Sequence, residues 1–487
     1  MMAYPDWVEK QRRPGTSIHC IRGKYYLYEV TSVYDKEKKR ARAITKGYLG
    51  RITEEGLIPP KKKTESNESK YSVKEYGASS VLLDMGKDLH AKLKEVFPDE
   101  ADELMSLAVL RLVESCPFKR IGLLYERSYL SEMFPGLPMS SASLSGFLRS
   151  VGSRREKIVR FMNRMIDGSE HILFDGTGII TKSEHLDINR LGYNSHRQFD
   201  PQINLLYAFS SEQHQPVYYR IVPGNVRDVS SFRQAVSESG IQDVTVIADK
   251  GFGSAANFGM LEDAQIRYIV PLRRNSGAFD RARLKSGDKG SFDGHFIFQK
   301  RVIWYYEYVI DGARYIVFQD SSLRTEEEKD YLQRLEAQHE GYSMEGYLEK
   351  QYDFGTILFR TNRTDPPEEI YKLYKTRIEI EQTFDFLKNL LETDVIYLQD
   401  KYAVEGWAFI NHLSLLLAYL VYQKLRSTDL LSKFSIADFL SHLKYIHRIK
   451  TKGSWVLSEI SGKTKKLLKA LDLDIGSIAN LNATRTE

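Results

Sequence analysis

The spacing of apolar positions changes along the chain, and the changes divide it. Between Ser17 and Ile52 the stretches IHCIRGKYYLYEVTSVYD and KKRARAITKGYLGRI alternate aromatic and β-branched residues with Lys and Arg, around a charged turn at residues 35–40. Period two predicts a basic hairpin, since successive strand side chains point to opposite faces. Pro59, Pro60, three lysines at 61–63 and a Ser/Glu/Asn-rich stretch to Ser69 read as a linker, so a boundary is expected between 60 and 75. Residues 78–168 then carry apolar residues three and four apart, as in 101–114 and 141–166, which predicts a helical domain.

From His171 the pattern returns to strands. HILFDGTGII, INLLYAFSS and PVYYRIVPG come first, followed by a helix from Asp228, the strand VTVIAD, a helix from Ala255 and the strand RYIVPL. Three short strands followed by alternating helices and strands predict a mixed α/β sheet whose first three strands form an antiparallel meander. Residues 273–355 interrupt this rhythm with a basic Gly-containing stretch, the aromatic strands FIFQKRVIWYYEYVI and YIVFQD, and a charged helix. They read as a β-rich insertion. The strand FGTILFRT and a helix from Pro367 to Leu391 resume the core, and a helical region follows from about 401 to 487. The expected domains are therefore 1–65, 76–168, 169–400 and 401–487.

Composition narrows the function. The formal charge is only +5 over 487 residues, but residues 1–63 hold 15 Lys/Arg against 7 Asp/Glu, which leaves about −3 for the remainder. The basic end is where a polyanion would bind. Two cysteines, Cys20 and Cys116, exclude a disulfide framework and any multi-cysteine zinc site. The one long apolar run, Ala403 to Leu425, carries Glu405, Asn411, His412 and Gln423, which predicts a buried helix and no membrane span. The N-terminus lacks an apolar core of signal-peptide length, and a cytoplasmic, nucleoid-associated protein is expected.

Candidate chemistry starts with carboxylates where burial makes them costly. Asp175 lies inside the apolar strand HILFDGTG and needs a cation or donors to offset its charge. Asp249 closes VTVIAD, and Gly251 and Gly253 let the backbone turn away behind it; an aspartate after a strand is also a common turn former. In YKLYKTRIEIEQTFDFLKN, the residues Tyr374, Arg377, Glu381 and Lys388 stay within about 60° on one stripe at roughly 100° per residue. Glu379 lies about 200° around the helix from Glu381 and is excluded as the ligand. An amphipathic helix with an Arg377–Glu381 ion pair would show the same spacing. His171, His185, His196 and His214 have no ligand-like spacing and read as structural or surface residues.

Tyr-x2-Arg-x3-Glu-x6-Lys resembles the signature of bacterial insertion-sequence transposases with the Tyr-Arg-Glu-Lys motif, a branch of the DDE transposases with an RNase H-like fold. FDGTG around Asp175, IADKGFGS around Asp249, an inserted β-rich segment and LFRTN ahead of the helix follow in that family's order over about residues 80–450. Ile378 departs from relatives that carry an aromatic residue after the arginine. The resemblance implies that Asp175, Asp249 and Glu381 hold two Mg²⁺ or Mn²⁺ ions, with Asp175 bridging both. It further implies cut-and-paste transposition: cleavage of double-stranded DNA at terminal inverted repeats, through a hairpin, and joining to target DNA, with a homodimer in the DNA complex. Arg377, Lys388 and Tyr374 would contact phosphates. Arg273 and Arg274 are candidates for the same contact or for plain surface charge. Trp304 would either stack on an extruded base or pack within the inserted sheet. A nuclease of the same fold that cuts without joining, and a silent transposase-derived DNA-binding protein, are the alternatives.

Overall fold

The computed structural model describes residues 4–35, 40–60, 71–166, 172–193, 199–225, 234–235, 237–239, 244–248, 250–451 and 454–476. They divide into two compact units, Met1–Tyr71 and Ser72–Glu487.

The first unit is a four-stranded antiparallel sheet, β1 (Thr16–Ile21), β2 (Lys24–Asp35), β3 (Arg40–Thr53) and β4 (Gly56–Ile58), in sequential order. The predicted hairpin is its β2–β3 centre. Ile18, Leu27 and Ile52 share one face and are buried with Val8 of the short helix Asp6–Glu9, beneath Trp7 and Tyr25. Irregularities at Leu27/Tyr28 and Glu29/Val30 bend the long hairpin.

The second unit opens with β5 (Ser72–Glu75), which pairs with β17 (His447–Thr451) and through it with β18 (Ser454–Leu457). Between these ends lies the central sheet. Strands β6 (Ile172–Thr181), β8 (Phe199–Ser210) and β9 (Gln215–Pro223) form the antiparallel meander, and the short β7 (Arg190–Tyr193) pairs with the start of β8. On the other side of β6 lies β10 (Thr245–Ile247), paired in parallel with β11 (Arg267–Leu272). The meander β9–β8–β6 and the pair β10–β11, which lies against β6, make up the RNase H-like core. Its near-continuous apolar runs reflect burial on both faces: Leu173, Phe174, Ile203, Phe209, Val246 and Ile269 are all at or near zero exposure.

The insertion extends the β10–β11 sheet instead of standing apart from it. β15 (Thr356–Thr361) pairs antiparallel with β11, and β14 (Ala313–Asp320), β13 (Arg301–Ile310) and β12 (Gly294–Phe298) continue outward, giving β10–β11–β15–β14–β13–β12. Phe279, Leu284, Tyr306, Tyr315, Val317 and Leu358 form a separate small core there. A two-residue strand, β16 (Val395–Ile396), pairs in parallel with the end of β6.

Helices cover the sheet. The 27-residue helix Lys401–Ser427 is long and apolar enough to cross a membrane, but its most apolar window is 89% buried in the protein, as the polar residues in the run predicted. It touches Ser141–Gly152 backbone to backbone: a side chain at Gly152 would collide with the Tyr402 carbonyl, and one at Gly406 with the Leu148 carbonyl. Helix Ala101–Val113 packs along it and is buried on nearly all sides. Within that helix Glu103 is buried with its Oε1 unpartnered, and burial, with Glu100 nearby, pushes its carboxyl up to about 7. A folded-state pKa above the unfolded value means stability is full below about 4.5 and falls as pH rises toward 7. Glu103→Met is therefore expected to melt several degrees above wild type at pH 8, with the difference shrinking toward pH 5. Parallel melting curves across that range would refute this.

Candidate active site

Asp175 sits midway along β6, opposite Tyr207 of β8. Its strand neighbours Leu173 and Phe174 are fully buried, whereas its own side chain keeps about 19% exposure at the sheet surface. Among the described residues two donors offset its charge, as the sequence required. The Gly176 amide donates to Oδ1 at 2.8 Å, and Nη2 of Arg377 donates to Oδ2 at 3.2 Å. The same Nη2 lies 3.7 Å from Oε1 of Glu381, whose side chain is 58% exposed. One guanidinium thus joins carboxylates 206 residues apart in sequence, and their oxygens can lie no further apart than the sum of those distances, about 7 Å.

Helix Arg377–Asp385 is aimed by its other faces. Ile380 is fully buried, Phe384 meets Tyr207 edge-on at 6.3 Å, and Thr383 shares a 2.8 Å hydrogen bond with the Tyr419 hydroxyl on the long helix. Glu379 faces another way: His214 Nδ1 lies 2.9 Å from it and Arg426 3.9 Å. Nothing local in the sequence signalled this set, because its three members come from the β8–β9 turn and two helices. Ile378 is 69% exposed, so its departure from the aromatic pattern costs no core packing.

The predicted single helix from Pro367 to Leu391 is broken twice. Helix Pro367–Lys375 ends at Thr376, whose Oγ1 donates to the Leu373 carbonyl at 2.6 Å, and Arg377–Asp385 begins after it. Residues Phe386–Leu390 then form a π turn, with the Leu391 amide on the Phe386 carbonyl at 2.9 Å. The extra residue in that turn buries both Leu387 and Leu391, and a uniform 100° stripe does not extend through it. Lys388 reaches Asp394 at 3.7 Å and opens on a cavity it shares with Phe118, Lys119, Tyr397 and Trp407. Tyr374 lays its ring on Phe359 of β15 at 4.5 Å. The described structure therefore unites Asp175, Arg377 and Glu381, and gives Tyr374 and Lys388 contacts of their own.

Asp249 lies outside the described residues; the strand leading to it, β10, runs beside β6. Arg273 is exposed after β11, whereas Arg274 is committed to the insertion through the Thr356 carbonyl at 3.0 Å and Glu327 at 2.9 Å. Trp304 is half-buried on β13, with the His295 ring at 4.8 Å and Lys289 Nζ 5.2 Å above it.

The donor set suits hard divalent cations. Asp175 and Glu381 are carboxylates gathered around a positive charge, of the hard-oxygen type that could hold such ions, and ligands of two ions roughly 4 Å apart, with bonds of about 2.1 Å, would span up to about 8 Å. The observed limit falls within that span.

The family model of the transposase DDE domain matches residues 167–417, just over half of the chain, and includes β6, β10 and the glutamate helix. The chain belongs to the DDE transposase family. DDE transposase domains depend on divalent metal ions, in keeping with the donor set found here. Among solved structures, a piggyBac transposase synaptic complex with hairpin DNA is similar to this transposase at a TM-score of 0.37 and 11% identity, covering 84% of this chain and 76% of that one. No curated protein matches the sequence.

Proposed function

We propose that this transposase belongs to the Tyr-Arg-Glu-Lys branch of bacterial insertion-sequence enzymes. In this reading it cleaves the ends of its element and joins them to target DNA by a cut-and-paste route. The observation that carries the proposal is the convergence of Asp175 and Glu381 on Arg377. Asp175, Asp249 and Glu381 would hold two Mg²⁺ ions, which supply Lewis acidity to the scissile phosphate and an activated oxygen nucleophile. Arg377, which among the described residues bridges Asp175 and Glu381, is positioned to follow the negative charge to a DNA phosphate, and its planar fork suits a phosphate's oxygens. Lys388, Tyr374 and Arg273 would contact the backbone near the cut. Trp304, already covered by the tilted His295 ring, would receive a base only if His295 moved aside. Residues 1–65 and 76–168 would recognise the terminal repeats, and paired ends would call for a homodimer.

The test uses a labelled duplex carrying the element's own terminal repeat, with a second duplex as target. Wild type with Mg²⁺ is expected to give nicked and joined products, and EDTA or Asp249→Asn to abolish both while end binding persists. Nicking without joined products would favour a nuclease, and binding without cutting a silent DNA-binding protein.

A further inference from the structure

The first unit uses only one face of its sheet for its core. Residues on the opposite face follow from the register. His19 pairs with Tyr26, Tyr26 with Arg51, and Tyr28 with Tyr48, so these side chains emerge together, on the side away from Leu27, Ile18 and Ile52. Their rings form a continuous row. His19 lies 4.9 Å from Tyr28, Tyr28 5.4 Å from Tyr48, and Tyr48 6.1 Å from Tyr26. Tyr48 is 40% exposed, and Ile21 and Ile58 at the margins about half exposed. Burial pushes the Tyr48 phenol up, Tyr26 and Tyr28 add to the rise, and Arg51 opposes it. The cations beside it are Lys24 and Arg51, and no carboxylate occupies the strand positions that share this face.

Four neighbouring rings, one pair edge-on and two tilted, on the open face of a sheet exceed what a solvated face needs, and large apolar side chains exposed in a cluster mark a binding surface. Two properties select the occupant. Residues 1–63 carry 15 Lys/Arg against 7 Asp/Glu, which suits a polyanion. Flat rings without hydrogen-bond specificity suit unpaired bases, whose faces a duplex keeps stacked inside. We propose that the Tyr26–Tyr28–Tyr48–His19 face is a stacking platform for single-stranded DNA, with Arg51 and Lys24 on its phosphates. The test of the platform needs no cleavage.

Binding of a fluorescent oligo(dT) to the full chain is measured by anisotropy, beside an abasic oligomer of equal length and a duplex. Tyr28→Ala/Tyr48→Ala is expected to weaken oligo(dT) binding about tenfold or more, on the scale of one or two lost base stacks. Tyr28→Phe/Tyr48→Phe is expected to retain it, because the ring remains. Abasic DNA should bind wild type about as weakly as oligo(dT) binds the alanine pair. An unchanged oligo(dT) affinity in the alanine pair, or abasic DNA binding as tightly as oligo(dT), overturns the platform. Duplex binding weakened as much as oligo(dT) would make the face a duplex contact and overturn it too. A chain that fails to cut DNA but passes these arms refutes the catalytic reading alone.

Discussion

Glu381→Gln is expected to lower strand cleavage by about 10³-fold or more while leaving end binding within about twofold, and Asp175→Asn to do the same. Each substitution keeps the shape and removes the negative charge that a divalent cation requires, and losing a metal ligand is worth several kcal/mol of transition-state stabilisation. Glu381 is 58% exposed, so folding should survive the change. Asp175 is closer to the core, but an asparagine still accepts from the Gly176 amide. The control is two residues away. Glu379 is held by His214 and Arg426, so Glu379→Gln should cost some stability and leave cleavage within about tenfold. The readout is single-turnover cleavage of a terminal-repeat duplex, with binding by gel shift and melting by circular dichroism. If Glu379→Gln abolished cleavage and Glu381→Gln spared it, the two glutamates would exchange roles and the arrangement around Arg377 would be a structural ion pair only.

Much of this site was legible because its chemistry conflicts with its surroundings. A carboxylate inside HILFDGTG is conspicuous, and an Arg and a Glu four apart on an amphipathic helix are readable from spacing alone. Strand period and apolar runs likewise revealed the meander, the insertion and the buried helix. Features set by packing were not legible. The π turn at Phe386–Leu390 accompanies the burial of both Leu387 and Leu391, which no local propensity encodes. The first unit showed its hairpin, but β1 and β4 are six- and three-residue strands that gain meaning only when paired. The continuity of the insertion with the central sheet depends on β15 entering between β11 and β14, a long-range choice invisible in either segment. Arg274 reads as a surface charge in sequence, yet its partners at Glu327 and Thr356 lie more than 50 residues on.

The largest stability effect is expected at another residue whose partners are remote. Arg155, at the start of helix Arg155–Asn163, donates to Glu405 at 2.7 Å, to the Tyr219 carbonyl at 2.8 Å, to the Tyr218 hydroxyl at 3.1 Å and to Glu238 at 3.2 Å. Its guanidinium also lies 5.1 Å from the Tyr219 ring centroid. The Tyr219 hydroxyl returns to Glu405 at 2.8 Å, and Arg220 shares Glu238. This cluster joins a helix, strand β9 and the long helix Lys401–Ser427, and β9 is the edge of the meander that carries Asp175. Burial would raise the Glu238 carboxyl, yet hydrogen bonds from Arg155 and Tyr218 hold it below its ordinary value. His412 nearby is buried and pushed down to about 3, by burial first and by Arg155 second, so it adds no second cation. Arg155→Leu leaves Glu405 without its cation in a partly dry setting, and breaking such a pair costs about 3–5 kcal/mol. With 23% of the side chain exposed, the lower end, about 3 kcal/mol, is expected. Arg155→Lys should recover only part, since an ammonium cannot serve four acceptors from one plane. The double variant Arg155→Leu/Glu405→Leu should be more stable than the sum of the single losses predicts, because it removes the stranded charge as well. Urea denaturation of wild type, Arg155→Leu, Glu405→Leu, the double variant and Arg155→Lys measures this directly, and an Arg155→Leu midpoint equal to wild type would show that solvent already screens the cluster and that packing alone holds the helices to β9.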